Sequence, residues 1–440
     1  MTTADLIARQ DLDALASWLD QAGILDIVEE LTRLDPADRV VPFRLLPRDR
    51  ALEVFEALDS IHQQEILEQL RDESFRQLVG DMDPDDRARL VGEVPATVAS
   101  QVLAGLDPAE RALTAALLGY PAESAGRIMT PEYVSLRAGM TVAEALEEIR
   151  RSGPDAETVY FLPVSDDHRC LVGVIGLRAL VLAPPTSQVG ELMTRRVHKV
   201  RFDEDQEVAA RLIQEAGLIA LPVVDTENRL VGVITVDDAM AVIEREDTED
   251  IARHGGAEPL GRPYMAAGVF YLASKRAVWL LVLIVAAALT VNVLQFFEET
   301  LEEVVTLALF IPLLIDTGGN SGSQAATVVI RAMAVNEVRF SDLPRVLARE
   351  ARVGVMLGTM LGVAGFVPVA IFFDTDIALI VSVTLVTICA WATFLGSMLP
   401  MVARRVGVDP AVASAPIVTT LVDATGLVIY FLVARAVLGV

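Results

Sequence analysis

The spacing of apolar and polar positions divides the 440-residue chain into three regimes. Up to about residue 125, apolar residues recur at helical intervals in short runs that share an opening signal. It reads Asp35-Pro36-Ala37-Asp38-Arg39, Asp83-Pro84-Asp85-Asp86-Arg87 and Asp107-Pro108-Ala109-Glu110-Arg111. A capping Asp, a Pro suited to the first helical position and an acid in the first turn predict helix starts. Leu46-Pro47-Arg48-Asp49-Arg50 is a degenerate fourth copy. The starts lie near multiples of 12 residues apart. That spacing predicts an α-helical solenoid whose units bury apolar faces on their neighbours.

Between about 126 and 245 the pattern alternates between strand and helix, and it is duplicated. Ile128-Met129-Thr130 answers Leu192-Met193-Thr194, and Leu162-Pro163-Val164 answers Leu221-Pro222-Val223. Arg169-Cys170-Leu171-Val172-Gly173-Val174-Ile175 answers Arg229-Leu230-Val231-Gly232-Val233-Ile234, with a slip of one in the preceding turn. Each copy is expected to run strand, helix (142–151; 207–216), two strands joined by a polar turn (165–168; 225–228), then a second helix. The segment resembles a tandem pair of cystathionine β-synthase (CBS) domains, an α/β unit. The resemblance implies an adenosine nucleotide gripped by a Thr or Ser followed three residues later by Asp. Thr235 and Asp238 supply this in the second copy, whereas the first has Gly176-Leu177-Arg178-Ala179. ATP is therefore a secondary expectation, with Arg178 beside a phosphate.

A charged helix from about 240 through Asp250 is expected to stop at Gly255-Gly256, with Pro263 leading onward. Five apolar stretches follow, at about 276–297, 304–331, 347–373, 377–402 and 411–437. Each is long enough, at about 1.5 Å per residue, to cross a hydrocarbon layer of about 30 Å. Lys275, Arg276, Arg331, Arg339, Arg345, Arg349, Arg352, Arg404 and Arg405 alternate with connections holding Glu298, Glu299, Glu302, Glu303, Asp374 and Asp376. The positive-inside rule puts the N terminus and the Arg-rich connections in the cytosol and the C terminus outside, with Arg435 an exception. The start, Met-Thr-Thr-Ala-Asp-Leu, has neither the basic nor the apolar region of a secretory signal, in keeping with a plasma or inner membrane protein.

Two spans carry groups that no lipid-facing helix would choose. Asp423 lies near the middle of the last, on a small polar face with Ala415, Thr419 and Gly426. A carboxylate there marks an ion path by default. In the second span, Asp316, Asn320, Gln324, Thr327 and Arg331 recur at helical spacing, and Gly318 and Gly319 permit close packing or a local break. Gly354, Gly358 and Gly362 form a packing stripe on the third.

Charge refines this division. The chain is 53% hydrophobic yet carries a net charge of -25. Residues 270–440 hold 10 basic against 12 acidic side chains, leaving 26 against 49 for the rest. So acidic a soluble part repels nucleic acid and concentrates divalent cations. Asp86, Asp205, Glu207, Asp238, Glu246, Asp250 and Asp409 are the acids placed where a bridging cation draws segments together. The two cysteines imply neither a disulfide framework nor a thiolate metal site. The membrane part has no His and one Cys. This favours a hard, hydrated cation met by carboxylates and carbonyls, such as Mg2+, over softer metals.

The order solenoid, CBS pair, acidic helix and five-helix transmembrane bundle resembles the MgtE family of magnesium channels. So do Gly318-Gly319-Asn320-Ser321-Gly322-Ser323-Gln324 and the segment from Asp409-Pro410 to Thr419-Thr420-Leu421-Val422-Asp423-Ala424-Thr425-Gly426-Leu427. The expected domains are 1–125, 126–245, a connecting segment 246–268 and a pore domain 269–440. The resemblance implies a homodimer in membrane lipid, an ion path at the dimer axis with Asp423 of both subunits facing hydrated Mg2+, and a connecting helix that plugs it when cytosolic Mg2+ binds. Ala415 departs from the family pattern, where Ser-Gly-Pro is expected, and bears on pore width and ion preference.

Rival classes are an anion or osmolyte carrier, a carrier of Co2+ or Mn2+, a CBS-bearing intramembrane protease and a sensor without flux. No His-Glu-x-x-His occurs in a span, against the protease, and no P-loop lysine motif supports an ATP-driven pump. The chain is expected not to be an enzyme.

Overall fold

The computed structural model describes residues 3–439 except 10, 70–77, 261–263, 265–266, 336 and 411–414; Pro263 and the first four residues of the last predicted span thus lie outside the described residues. The chain forms two compact units, Met1–Glu246 and Asp247–Val440.

The first unit begins with helices α1 (Thr3–Ala8), α2 (Leu12–Gln21), α3 (Ile24–Arg33), α4 (Pro36–Leu45), α5 (Arg48–Glu56), α6 (Ser60–Gln69), α7 (Pro84–Glu93), α8 (Ala96–Gly105) and α9 (Pro108–Leu118). From α2 to α6, and again from α7 to α9, a helix starts every 12 residues. Asp35, Asp83 and Asp107 are N-caps followed by Pro, as expected. The Arg of each motif has a role that spacing did not reveal. Arg39 donates to the carbonyls of Leu31 (2.8 Å) and Leu34 (2.7 Å), eight and five residues back. Arg87 donates to the carbonyls of Val79 and Gly80, eight and seven back in the helical residues 78–81, and Arg111 to those of Leu103 and Leu106, eight and five back. Each guanidinium thus satisfies orphan carbonyls at the end of the preceding helix and complements its dipole. Leu15, Ile27, Leu31, Val54, Phe55, Ile66 and Val102 fill the core between the turns.

The CBS pair follows. In the first copy β1 (Leu136–Arg137) lies parallel to β2 (Phe161–Ser165), which pairs antiparallel with β3 (Leu171–Gly176); the second repeats this with β4 (Val200–Arg201), β5 (Ala220–Val224) and β6 (Leu230–Thr235). Helix α10 (Val142–Ser152) precedes β2; α11 (Leu177–Leu182) and α12 (Val189–Leu192) follow β3; α13 (Gln206–Ala216) precedes β5. Corresponding bulges fall at Val164/Ser165 and Val223/Val224. The two copies interlock reciprocally. Thr130 pairs with Val233 of the other copy, and Thr194 with Val174. A Cβ on Gly232 would meet Met129 Sδ at 2.6 Å, and one on Gly173 would meet Met193 Sδ at 2.6 Å. The repeated Met and Gly are one contact made twice. Ala88 of α7 and Leu117 of α9 share the core of the second copy, alongside Ala209, Ile213, Ile234 and Ala239.

Helix α14 runs unbroken from Val236 to His254, so the second CBS helix and the connecting helix expected from about 240 are one element. It crosses the boundary between the units and ends at Gly255 and Gly256, the latter at φ +68°.

The second unit contains α15 (Val269–Phe296), the short α16 (Glu298–Glu303), α17 (Ile311–Ala334), α18 (Leu343–Phe372), α19 (Thr375–Arg405) and α20 (Ala415–Leu438). Among the described residues, four segments are long and apolar enough to cross a membrane: Val269–Phe296, Phe340–Phe372, Thr375–Arg405 and Ala415–Leu438. Of the five spans expected from the sequence, the second is not among these four. The second, placed at 304–331, opens with a 3-10 turn at Val305–Phe310 before α17 begins. Its polar middle, from Asp316 to Gln324, keeps α17 less apolar than the rest. Helix α19 is the most buried. Gly354, Gly358 and Gly362 of α18 pack on it as the stripe predicted: a Cβ at Gly354 would stand 2.4 Å from the Cys389 carbonyl. Helix α15 has no buried residue.

Candidate metal centres

In the first unit, helix starts and their caps bring acids of distant segments together. Glu56 at the end of α5, Asp83 at the cap of α7 and Asp86 in its first turn place one carboxylate oxygen each within 4.8 Å of one another. Asp86 pairs with Arg89 at 2.5 Å. Asp85 is buried, and its Oδ1, like Oε1 of Glu56, has no hydrogen-bond partner among the described residues. Burial, then Asp86 and Asp83, push the Glu56 carboxyl up to about 8. Burial, then Asp83 and Asp238, push Glu157 of the first CBS copy up to about 8. Burial likewise raises Asp238 to about 7, although Thr235 Oγ1 donates to it at 2.7 Å. Like-charged, partly desolvated carboxylates that resist ionising together are stabilised as anions by a divalent cation among them.

Of the acids singled out in the sequence, Asp86 and Asp238 belong to this cluster. Asp205 caps α13, accepting from the Glu207 amide at 2.7 Å, and Glu207 accepts from Arg211 Nε at 2.7 Å. Gln206 Nε2 donates to Glu246 at 3.0 Å, which brings the start of α13 alongside α14. Asp250 is half-buried on α14. Asp409 pairs with Arg253 at 2.5 Å, and Arg253 also pairs with Glu249. Glu56, Asp83, Glu157 and Asp237 were not among those acids. Only the doubled Asp85-Asp86 in the motif hinted at them, since the partners come from three segments.

Thr235 and Asp238, the nucleotide candidates of the second copy, bond to each other among these acids. Arg178 is exposed on α11.

In the second unit the glycines of α17 let α20 approach. A Cβ on Gly318 would lie 2.5 Å from Ile388 Cγ2, and one on Gly319 would lie 3.1 Å from Thr419 Cγ2 and 3.7 Å from Asp423 Oδ1. The Asp316 and Asp423 carboxylates are near enough to act on one another electrostatically. Ala415, Thr419 and Asp423 are all half-buried on α20. On α17, Asp316, Asn320, Gln324, Thr327 and Arg331 form one exposed face, while Leu314, Gly318, Gly322, Ala325 and Val329 are buried on the other. An exposed polar stripe on a helix of such a bundle requires water or protein against it.

The end of α14 meets this region. His254 Nε2 lies 2.9 Å from Thr327 Oγ1 on the polar face, and a Cβ on Gly256 would stand 2.8 Å from Pro416 Cγ at the start of α20. The sequence carried no signal for the first contact.

The family of MgtE divalent cation transporters matches residues 311–433, the MgtE intracellular N domain matches 22–123, and the CBS domain matches 125–185 and 189–245. The magnesium transporter MgtE of Thermus thermophilus is 41% identical over 434 residues, covering 97% of this chain and 96% of that protein. The chain belongs to the MgtE family. The magnesium transporter MgtE of Bacillus subtilis is 32% identical over 99% of this chain and 98% of its own length. The cytosolic domain of the Mg2+ channel MgtE, solved in complex with ATP, is 38% identical with a TM-score of 0.52, covering 55% of this chain and 98% of that one. Members of the MgtE family are membrane transporters rather than enzymes, and the helical N domain and CBS pair expected from the sequence are those of the family.

Proposed function

We propose that the chain is a Mg2+ channel whose path runs past Asp423 and which cytosolic Mg2+ closes. The observation that carries the path is the Asp423 carboxylate, held half-buried against Gly319 of α17, a helix whose exposed face presents Asp316, Asn320 and Gln324. Magnesium keeps most of its hydration shell, so these groups act on its waters, with Thr419 and Ala415 lining the same face of α20. The exposed polar face of α17 supports a homodimer with the path between two copies. Topology follows the arginines, with the N terminus cytosolic and the C terminus outside.

The regulatory part of the proposal rests on charge. Without cation, the acids around Glu56, Asp86, Glu157 and Asp238 oppose one another; with Mg2+ bridging them, the cytosolic part tightens. Asp205, Glu207, Glu246, Asp250 and Asp409 are assigned to further bridges. The seat of the α14 end on Thr327 and Pro416 is the closed position of a plug. Nucleotide binding to the CBS pair is a subsidiary reading, supported by the ATP complex of the related cytosolic domain and by the exposed Arg178.

The test is Mg2+ uptake into vesicles holding the purified protein, wild type beside Asp423→Ala, at low and high internal Mg2+. The proposal expects uptake to fall in the variant and, in wild type, to fall as internal Mg2+ rises. Equal flux in both proteins removes Asp423 from the path, and wild-type flux indifferent to internal Mg2+ removes the sensor.

A further inference from the structure

Helix α18 has two unlike faces. Gly354, Gly358 and Gly362 press one of them against α19, which fixes the orientation of the other. That second face is exposed along its length, and its composition changes sharply. At every third or fourth position it reads Arg345, Arg349 and Arg352, then Met356, Met360 and Val363. Three guanidinium groups thus occupy about 10 Å of helix at one rim of a membrane-crossing segment, directly in line with an apolar stripe.

These arginines are not spent on the fold. Arg345 is 88% exposed, and its ion partner Asp342 stands at 3.7 Å. Arg352 is exposed and donates Nε to the Ala348 carbonyl at 2.8 Å. Arg349 is exposed, and its charge acts on the adjacent Glu350. Arg404, on the neighbouring helix, shows the contrast: it donates to the Met333 carbonyl at 2.9 Å. Three like charges on one face repel unless an anion sits among them, and guanidinium binds phosphate oxygens in forked pairs.

We propose that this face of α18 is a seat for an anionic phospholipid. Its phosphodiester head lies on Arg345, Arg349 and Arg352, and an acyl chain runs along Met356, Met360 and Val363. A cluster of basic side chains next to a membrane helix attracts anionic headgroups, and here the charged segment and the apolar stripe in line with it match the two halves of one lipid. The inference requires only that α18 crosses the membrane, and it stands apart from the route and gating of the ion.

The experiment is native mass spectrometry of the full-length protein titrated with phosphatidylglycerol or phosphatidylcholine. Wild type is expected to retain phosphatidylglycerol about a hundredfold better, each of the three arginines contributing about fivefold. The triple variant Arg345→Gln, Arg349→Gln, Arg352→Gln is expected to lose that preference. The corresponding triple Lys variant, which keeps the charge and serves as the check on folding, is expected to keep most of it. An undiminished preference in the Gln variant, or equal retention of both lipids by wild type, overturns the proposal. So does a disulfide between two copies formed through Met360→Cys in membranes, which would make this face a subunit contact.

Discussion

Gly319 brings the backbone of α17 against the Asp423 carboxylate: a side chain there would start 3.7 Å from Oδ1 and 3.1 Å from Cγ2 of Thr419. A methyl group fits if Thr419 gives by a few tenths of an ångström, whereas a longer side chain must push α20 away. Gly319→Ala is therefore expected to keep most Mg2+ uptake, while Gly319→Leu loses at least about tenfold at a stability cost of about 1–3 kcal/mol. Vesicle uptake and thermal unfolding of the same preparations read the two effects separately.

A second close approach tests packing without touching the path. A Cβ on Gly396 would lie 2.1 Å from the Gly322 carbonyl oxygen, a backbone atom that cannot turn aside. Gly396→Ala is expected to cost about 3 kcal/mol or more and to lower the melting temperature in detergent, where Gly365→Ala, with nothing nearby, leaves it unchanged.

Arg253 ties the end of α14 to Asp409. Arg253→Ala is expected to weaken the proposed closed seat by about 1 kcal/mol. The internal Mg2+ concentration that halves uptake is expected to rise about fivefold, with the uptake rate at low internal Mg2+ unchanged. An unchanged midpoint would assign the ion pair to the fold alone.

The acid cluster predicts a pH effect whose sign is set by linkage. Glu56 and Glu157 titrate at about 8 in the folded chain against an ordinary value of 4.5, so the folded state binds more protons between those limits. Without Mg2+, the packing of α7 on the CBS pair is expected to be firm below pH 4.5 and to loosen as pH rises through 8. Added Mg2+ should restore it at high pH, and Glu56→Gln should flatten the dependence. Hydrogen exchange of α7 at pH 5.5 and 8, with chelator or Mg2+, provides the measurement.

Arg39 is 4% exposed and holds the carbonyls of Leu31 and Leu34. Arg39→Ala leaves those acceptors and Glu65 without it, at an expected cost of about 2–4 kcal/mol, whereas Arg33→Ala on the surface changes little. Chemical denaturation followed by circular dichroism distinguishes them.

Much of this architecture is legible in the chain because it repeats locally. Helix caps at Asp35, Asp83 and Asp107, the duplicated Met-Thr and Val-Gly-Val segments, and the glycine stripe of α18 are each set by neighbours a few residues apart. Asp423, Gly318 and Gly319 were legible for a related reason: charge and small residues inside an apolar run conflict with burial in lipid unless they serve a path or a close contact.

Tertiary structure decided what depends on segments far apart. The motif arginines announce a helix start by position, but only folding shows that they close the helix before. Met129 meets Gly232, and Met193 meets Gly173, because a residue next to each Met, Thr130 or Thr194, bridges to a strand of the other CBS copy. Glu56, Asp83 and Glu157 are ordinary acids in sequence, and their repulsion with Asp86 and Asp238 arises only when α5, α7, the first CBS copy and α14 converge. Local periodicity thus determines which elements form and which face each buries, while the electrostatics of a metal centre depend on distances across the fold, falling off with separation in space rather than along the chain.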